Sequence, residues 1–225
     1  MSDAPLNWQP AALPTARPLQ GRFIRLEKLD PARHGDDLWN ALEGPGSDRA
    51  LWNYLPYGPF QARSDFDAWL QRHAQDSDPW FYSVVDQTSG KVEGVISLMS
   101  IVAAHGRIEI GHVTFGAAMQ RTPKSTEAIY LLAREAFALG NRRLEWKCNA
   151  NNARSLRAAE RLGFSFEGTF RQHMVVKGIN RDTAWFSILD SEWQAVQQAF
   201  EHWLSLDNFA DGRQLKTLEA LRADA

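Results

Sequence analysis

Gln120-Arg121-Thr122-Pro123-Lys124-Ser125-Thr126-Glu127-Ala128 joins a strand-like run, Ile108 to Phe115, to a strongly apolar helical run, Ile129 to Leu139. A strand, a short polar loop and a helix start together make an anion site. The first turn of a helix carries N–H groups with no intrahelical partner, and the helix dipole adds positive potential there. Arg121 and Lys124 add full charges. The stretch therefore predicts a loop that holds a phosphate, most naturally the pyrophosphate of a cofactor. A well-capped core helix is the competing reading of the same spacing.

The chain around this stretch has 225 residues, 44% hydrophobic and 23% charged, the composition of a soluble globular domain with extensions. A net charge of −2 supplies no global basic field, so DNA is not an expected partner. Cys148 is the one cysteine, which excludes an internal disulfide and a multi-cysteine metal site; no metal is expected. It fits a reducing, cytoplasmic setting. The longest apolar stretch, Val95 to Ala104, is far too short for a membrane span, and residues 1–20 carry no apolar signal core.

Reading outward gives the element order. Pro5, Pro10, Pro14 and Pro18 make residues 1–20 an irregular leader. Phe23 to Leu29 is a strand, Asp30 and Pro31 start a helix that stops at Gly44, and residues 45–63 form an aromatic loop with Trp52, Tyr54, Tyr57 and Phe60. Ser64 is expected to cap a second helix, with Asp67 closing a capping box. Strands Trp80–Val85, Val92–Val102 and Arg107–Phe115 form a meander, with Asp86 to Gly90 as its first hairpin loop. A helix from Thr126 to Leu139 then crosses to the strand Arg143–Cys148, so the strands on either side of it should be parallel neighbours. A short helix after Asn152, two hairpin strands and a helix opened by Ser191, with Gln194 in its capping box, complete the order. The fold class is α+β: a mixed, mostly antiparallel twisted sheet flanked by helices. Residues 21–190 are the expected domain. Residues 191–225 are a helical extension, with Trp193, Val196, Phe200 and Trp203 facing the core or the seam of a homodimer.

Three motifs in this order resemble the GNAT superfamily of acyl-CoA-dependent N-acetyltransferases, and within it the RimJ/RimL-type branch. Gln120 to Ser125 lies over the pyrophosphate loop. Asn152-Ala153-Arg154-Ser155-Leu156-Arg157 with Leu162-Gly163-Phe164 matches the helix of that branch, and Asp182 to Leu189 matches its last strand. The resemblance implies acetyl-CoA as co-substrate and direct acetyl transfer to an amine, either a small molecule or a peptide N-terminus. A non-catalytic acyl-CoA sensor of the same fold is the alternative. The loop departs from the pattern where Pro123 and Ser125 replace Gly or Ala, so the resemblance puts cofactor binding on Gln120, Arg121, Thr122, Lys124, Ser125 and Thr126. It also implies carbonyl-binding amides on the preceding strand, at Val113 and Phe115. Asn152 takes the pantetheine arm and Arg157 the adenosine end.

For catalysis, the helix Tyr of many GNAT enzymes is replaced by Ala159, and the resemblance makes Ser155 the donor to the departing thiolate. A solvent-facing helix Ser is the simpler reading. Glu109 and His112 are the base candidates. Strand alternation puts them on opposite faces unless a bulge intervenes. Glu109 reads equally well as a structural carboxylate, and His173 is a weaker candidate. Trp52, Tyr54 and Tyr57 stand where the family builds its acceptor pocket, or anchor their own loop. Arg154, Arg157 and Arg161 read as a solvated basic face, and Cys148 as a small core residue.

Overall fold

Asp30 and Pro31 start the first helix as their chemistry dictates. The Asp30 carboxylate accepts from the amides of Ala32 and Arg33, and α1 runs Pro31–Leu42. The next helix, α2 (Arg63–Gln75), begins one residue before Ser64: Ala62 is at its N-cap with no side-chain bond, and Asp67 pairs with Arg63 at 2.7 Å rather than closing a capping box. The computed structural model describes residues 5–210 and 213–223.

Eight strands make one sheet: β1 (Leu19–Gln20), β2 (Ile24–Lys28), β3 (Trp80–Asp86), β4 (Val92–Val102), β5 (Arg107–Phe115), β6 (Arg143–Asn149), β7 (Ser165–Val176) and β8 (Ile179–Leu189). Their order is β1-β2-β3-β4-β5-β6-β8-β7. All neighbours are antiparallel except β5 and β6, which the crossover helix α3 (Pro123–Ala138) makes parallel. β1 lies inside the Pro-rich leader, where Leu19 and Gln20 pair with Leu26 and Arg25. One face of the sheet carries α1 and α2 over Leu38, Trp52, Phe66 and Phe81. The other carries α3, α4 (Ala153–Arg161) and α5 (Asp190–Leu204) over Ile108, Leu132, Phe186 and Phe200. Each such side chain stabilises the fold by about 2 kcal/mol on leaving water.

Trp193, Val196, Phe200 and Trp203 of α5 are buried, with Trp193 stacked on Phe137 and Phe200 against Tyr130. The helix starts at Asp190, one residue before Ser191. Its first turn is closed by Glu192 accepting the Leu189 amide, not by Gln194. β9 (Phe209–Ala210), β10 (Arg213–Gln214) and α6 (Leu218–Ala223) follow.

Glu127 shows why a carboxylate can sit in so apolar a helix. It is 3% exposed and accepts from the backbone amides of Arg22, Phe23 and Ile24 at 2.6, 2.7 and 2.8 Å. Three N–H groups on one carboxylate offset its desolvation and pin α3 to β2. A Cβ on Gly21 would lie 2.5 Å from this carboxyl carbon, so the turn leaves no room for a side chain there.

Two bulges shape β4 and β5. Val95 pairs with Thr114 and Ser97 with Gly111, so β5 carries an additional residue, and His112 takes a left-handed φ of 51°. Met99 pairs with Glu109 and Val102 with Arg107, so β4 carries the next, and Ser100 has a φ of 50°. The first bulge brings His112 to the face that Glu109 occupies; the second aims the Ser100 hydroxyl at Glu109, 3.2 Å away.

Candidate active site

β5 and β6 pair only from Arg107 to Glu109 against Arg143 to Glu145, and then part. The Gly116 amide donates to Glu93 on β4 at 2.9 Å. Strand alternation turns the Thr114 amide the same way and leaves the Val113 and Phe115 amides facing the gap. The gap is thus lined with N–H donors that no neighbouring strand takes up.

At its upper edge is the loop before α3. Gln120 donates to the Phe115 carbonyl at 3.0 Å, Thr122 to Met119 at 2.7 Å and Ser125 to Thr122 at 2.9 Å. Their side chains therefore hold the loop's own shape. Thr126 is buried and accepts from Arg161 at 3.1 Å. Lys124 turns inward, its ammonium 2.5 Å from Asp86 and 2.8 Å from Glu93. Burial alone would raise the Asp86 carboxyl, but Lys124 and Ser89 hold it at about 2. Pro123 is the first residue of α3, which starts three residues earlier than Thr126. Its missing N–H removes one donor and its fixed φ suits that position. What the loop presents to an anion is the unpaired first-turn amides of Lys124 and Ser125, with exposed Arg121 beside them.

On the far side of the gap, Asn152 caps α4 by accepting the Ser155 amide at 3.2 Å. The Trp146 indole N–H donates to Ser155 Oγ at 3.1 Å. One lone pair is thereby occupied and the hydroxyl proton is left to be donated elsewhere. Burial pushes the neighbouring Cys148 thiol up, against the pull of the Ser155 hydroxyl. The predicted basic face divides. Arg157 is exposed, Arg154 reaches Asp48 at 3.7 Å, and Arg161 is packed against Trp203 and Thr126 rather than solvated.

The third wall is aromatic. Tyr57 hydroxyl and His112 Nδ1 are 2.8 Å apart, and the two rings stack at 5.6 Å. Phe81 and His73 complete the surround of His112. Burial, then the positive potential of His73 and Lys147, lowers His112 to about 4, and burial pushes the Tyr57 phenol far up. Trp52 is fully buried behind Tyr57 and Phe60, so it supports this wall rather than facing the cleft. Tyr54 spans to the Asn151 carbonyl at 3.1 Å. Glu109 is 2% exposed and bound to Lys147 at 2.7 Å; burial raises its carboxyl, with Lys147 pulling the other way. His173 bonds Thr183 at 3.0 Å. Lys177, which the sequence marks only as the end of a hairpin strand, donates to the Trp52 and Gly58 carbonyls at 2.8 and 2.6 Å and ties the β7–β8 hairpin to the aromatic loop. The turn is Lys177-Gly178, tighter than the Gly178 to Arg181 turn the sequence suggests, because Ile179 to Arg181 pair with Val176 to Met174.

His112 gives a pH-dependent stability. Its folded pKa lies below the ordinary 6.5, so the unfolded chain binds a proton that the folded chain refuses. Stability is full above 6.5 and is lost as pH falls toward about 4, by up to roughly 3 kcal/mol. Urea unfolding of His112→Gln across this window should lack that step. A curve parallel to wild type would show that His112 titrates ordinarily.

The profile of the acetyltransferase (GNAT) domain matches residues 25–165. The chain belongs to the GNAT family. A GCN5-related N-acetyltransferase from Brucella melitensis is 46% identical, with a TM-score of 0.94 over 96% of this chain and 99% of its own. A probable acetyltransferase (GNAT family) from Chromobacterium violaceum ATCC 12472 is 44% identical, with a TM-score of 0.80 over 86% and 98%. RimL, a ribosomal L7/L12 alpha-N-protein acetyltransferase, is 18% identical, with a TM-score of 0.66 over 77% and 94%, and shares the fold. No curated protein matches the sequence. GNAT domains take the acetyl group from acetyl-CoA, and this GNAT chain is an acyltransferase. Among the described residues no group of three or more His, Cys, Asp or Glu side chains could hold a metal, and no helix is long and apolar enough to cross a membrane.

Proposed function

We propose that this GNAT chain is a RimJ/RimL-like N-acetyltransferase acting on a primary amine, either a small molecule or a protein N-terminus. The observation that carries the reading is Ser155, its lone pair held by Trp146, at the edge of a gap lined by the Val113 and Phe115 amides. The donor fits this lining: unpaired amides at the start of α3 suit a pyrophosphate, and unpaired strand amides suit a pantetheine arm and a carbonyl oxygen.

Acetyl-CoA supplies the acetyl group as a thioester. The amides of Lys124 and Ser125, with Arg121, hold the phosphates; Gln120 and Thr122 keep the loop in shape, and Ser125 Oγ and Thr126 do the same for the helix start. Asn152 and Arg157 lie along the remaining length. Val113 N–H steadies the developing oxyanion. His112, held neutral by burial, takes the proton from the amine nitrogen once attack on the carbonyl has made that nitrogen acidic, and Tyr57 fixes its ring. Glu109 compensates Lys147 beside it. Ser155 gives its proton to the departing sulfur.

Calorimetry with acetyl-CoA, followed by a free-thiol release assay over a panel of amines and peptide N-termini, tests the reading. Micromolar binding and amine-dependent release are expected. Binding without release from any acceptor would return the chain to the sensor reading.

A further inference from the structure

We infer that Arg181 anchors a carboxylate on the acceptor, so that the acceptor is a free amino acid. This rests on the amine-acetylation reading above and narrows it.

Arg181 lies on β8, two residues from Thr183 and four from Trp185, so alternation gives all three the same face. Trp185 pairs in register with Lys147 of β6, and Lys147 lies over the Trp185 ring and binds Glu109. This is the face that the bulge at His112 turns toward the cleft. Arg181 is half-buried, its Nε is closed off from solvent, and that atom has no hydrogen-bond partner. Among the described residues its guanidinium donates no hydrogen bond and forms no ion pair. The cations nearest along the sheet and hairpin are committed: Lys147 to Glu109 and Lys177 to two carbonyls. Burial pushes the Arg181 guanidinium down, with Cys148 and then Glu109 acting against it.

A desolvated guanidinium without a counter-ion is costly to keep. Its planar fork matches a carboxylate in a way a point charge does not. Lys147 and Arg181 against Glu109 leave one positive charge in excess. That charge repels a polycationic acceptor, attracts an anionic one and favours the neutral form of an amine held nearby. The Lys177 tie between hairpin and aromatic loop closes the cleft on that side, which suits a small acceptor over a polypeptide.

The test compares kcat/KM for three matched series: the L-amino acids, their carboxamides and the corresponding decarboxylated amines, with short peptides as a fourth arm. Wild type should favour the best amino acid over its carboxamide by about 100-fold. Arg181→Gln should raise KM for that amino acid by about 100-fold, with far less effect on the carboxamide, and Arg181→Lys should restore part of the loss. Melting temperatures of both variants check that they are folded. Wild-type preference for uncharged amines or for peptides would overturn the inference alone, as would Arg181→Gln slowing the acid and the carboxamide alike. No acetylation in any arm, with acetyl-CoA bound, would overturn the amine-transfer reading and this inference with it.

Discussion

Lys124→Met is expected to lower the free energy of unfolding by about 2–3 kcal/mol and to leave acetyl-CoA affinity within about threefold of wild type. The Lys124 side chain is 23% exposed, and its ammonium holds two carboxylates together, Asp86 at 4% exposure and Glu93 at 15%. Burial alone would lower Lys124, but Asp86 and Glu93 keep it above the ordinary lysine range. Methionine fills the volume and removes the charge, leaving two carboxylates close together with no cation between them. The Asp86 carboxyl should then rise from about 2. Because its folded pKa lies below the ordinary 3.8, the stability it contributes is present above that value and lost as pH falls toward about 2. The variant should lose this contribution at neutral pH already. Urea unfolding measures the stability and calorimetry the affinity. A large loss of affinity with stability intact would instead place the ammonium on the cofactor phosphates.

Ser155→Ala should reduce kcat by about 10- to 100-fold while acetyl-CoA binds nearly as before. The hydroxyl sits at the start of α4 with Trp146 N–H on its oxygen at 3.1 Å, and no tyrosine is available at Ala159, which is fully buried. Alanine removes the proton donor but keeps the Asn152 cap, because the cap uses the residue-155 backbone amide. Steady-state thiol release gives kcat and calorimetry gives affinity. If kcat does not change, Ser155 has no part in proton transfer to sulfur.

Much of the fold can be read along the chain because its punctuation is local. Asp30-Pro31 starts α1 through contacts within three residues, the Asp86 to Gly90 loop closes its own hairpin, and the apolar helix between two strands requires a parallel pair. What is not legible depends on distant partners or on backbone states that leave no mark on residue type. His112 and Ser100 adopt left-handed φ with neither Gly nor Asn to announce it, and those two bulges decide which face His112 and Ser100 occupy. Lys124 beside an anion loop looks like a phosphate ligand; the carboxylates that claim its ammonium lie 38 and 31 positions earlier in the chain. Arg161 follows a helical basic stripe in the sequence but lies beneath Trp203, 42 positions later on a helix whose docking against α4 no local pattern announces. Trp52 falls in the loop that builds the aromatic wall of the cleft, yet its ring goes to the core because Tyr57 and Phe60 cover it.

Lys177 has a mechanical consequence. By bonding two carbonyls six residues apart in the aromatic loop, one side chain makes the hairpin and that loop a single jaw. The two halves are joined, so the width of the cleft on that side is set at a point some 120 residues along the chain from the rings that line it. An acceptor too wide for the closed jaw must break both bonds at once. Enlarging the entrance is therefore a one-residue change at the hairpin tip rather than a reworking of the aromatic wall.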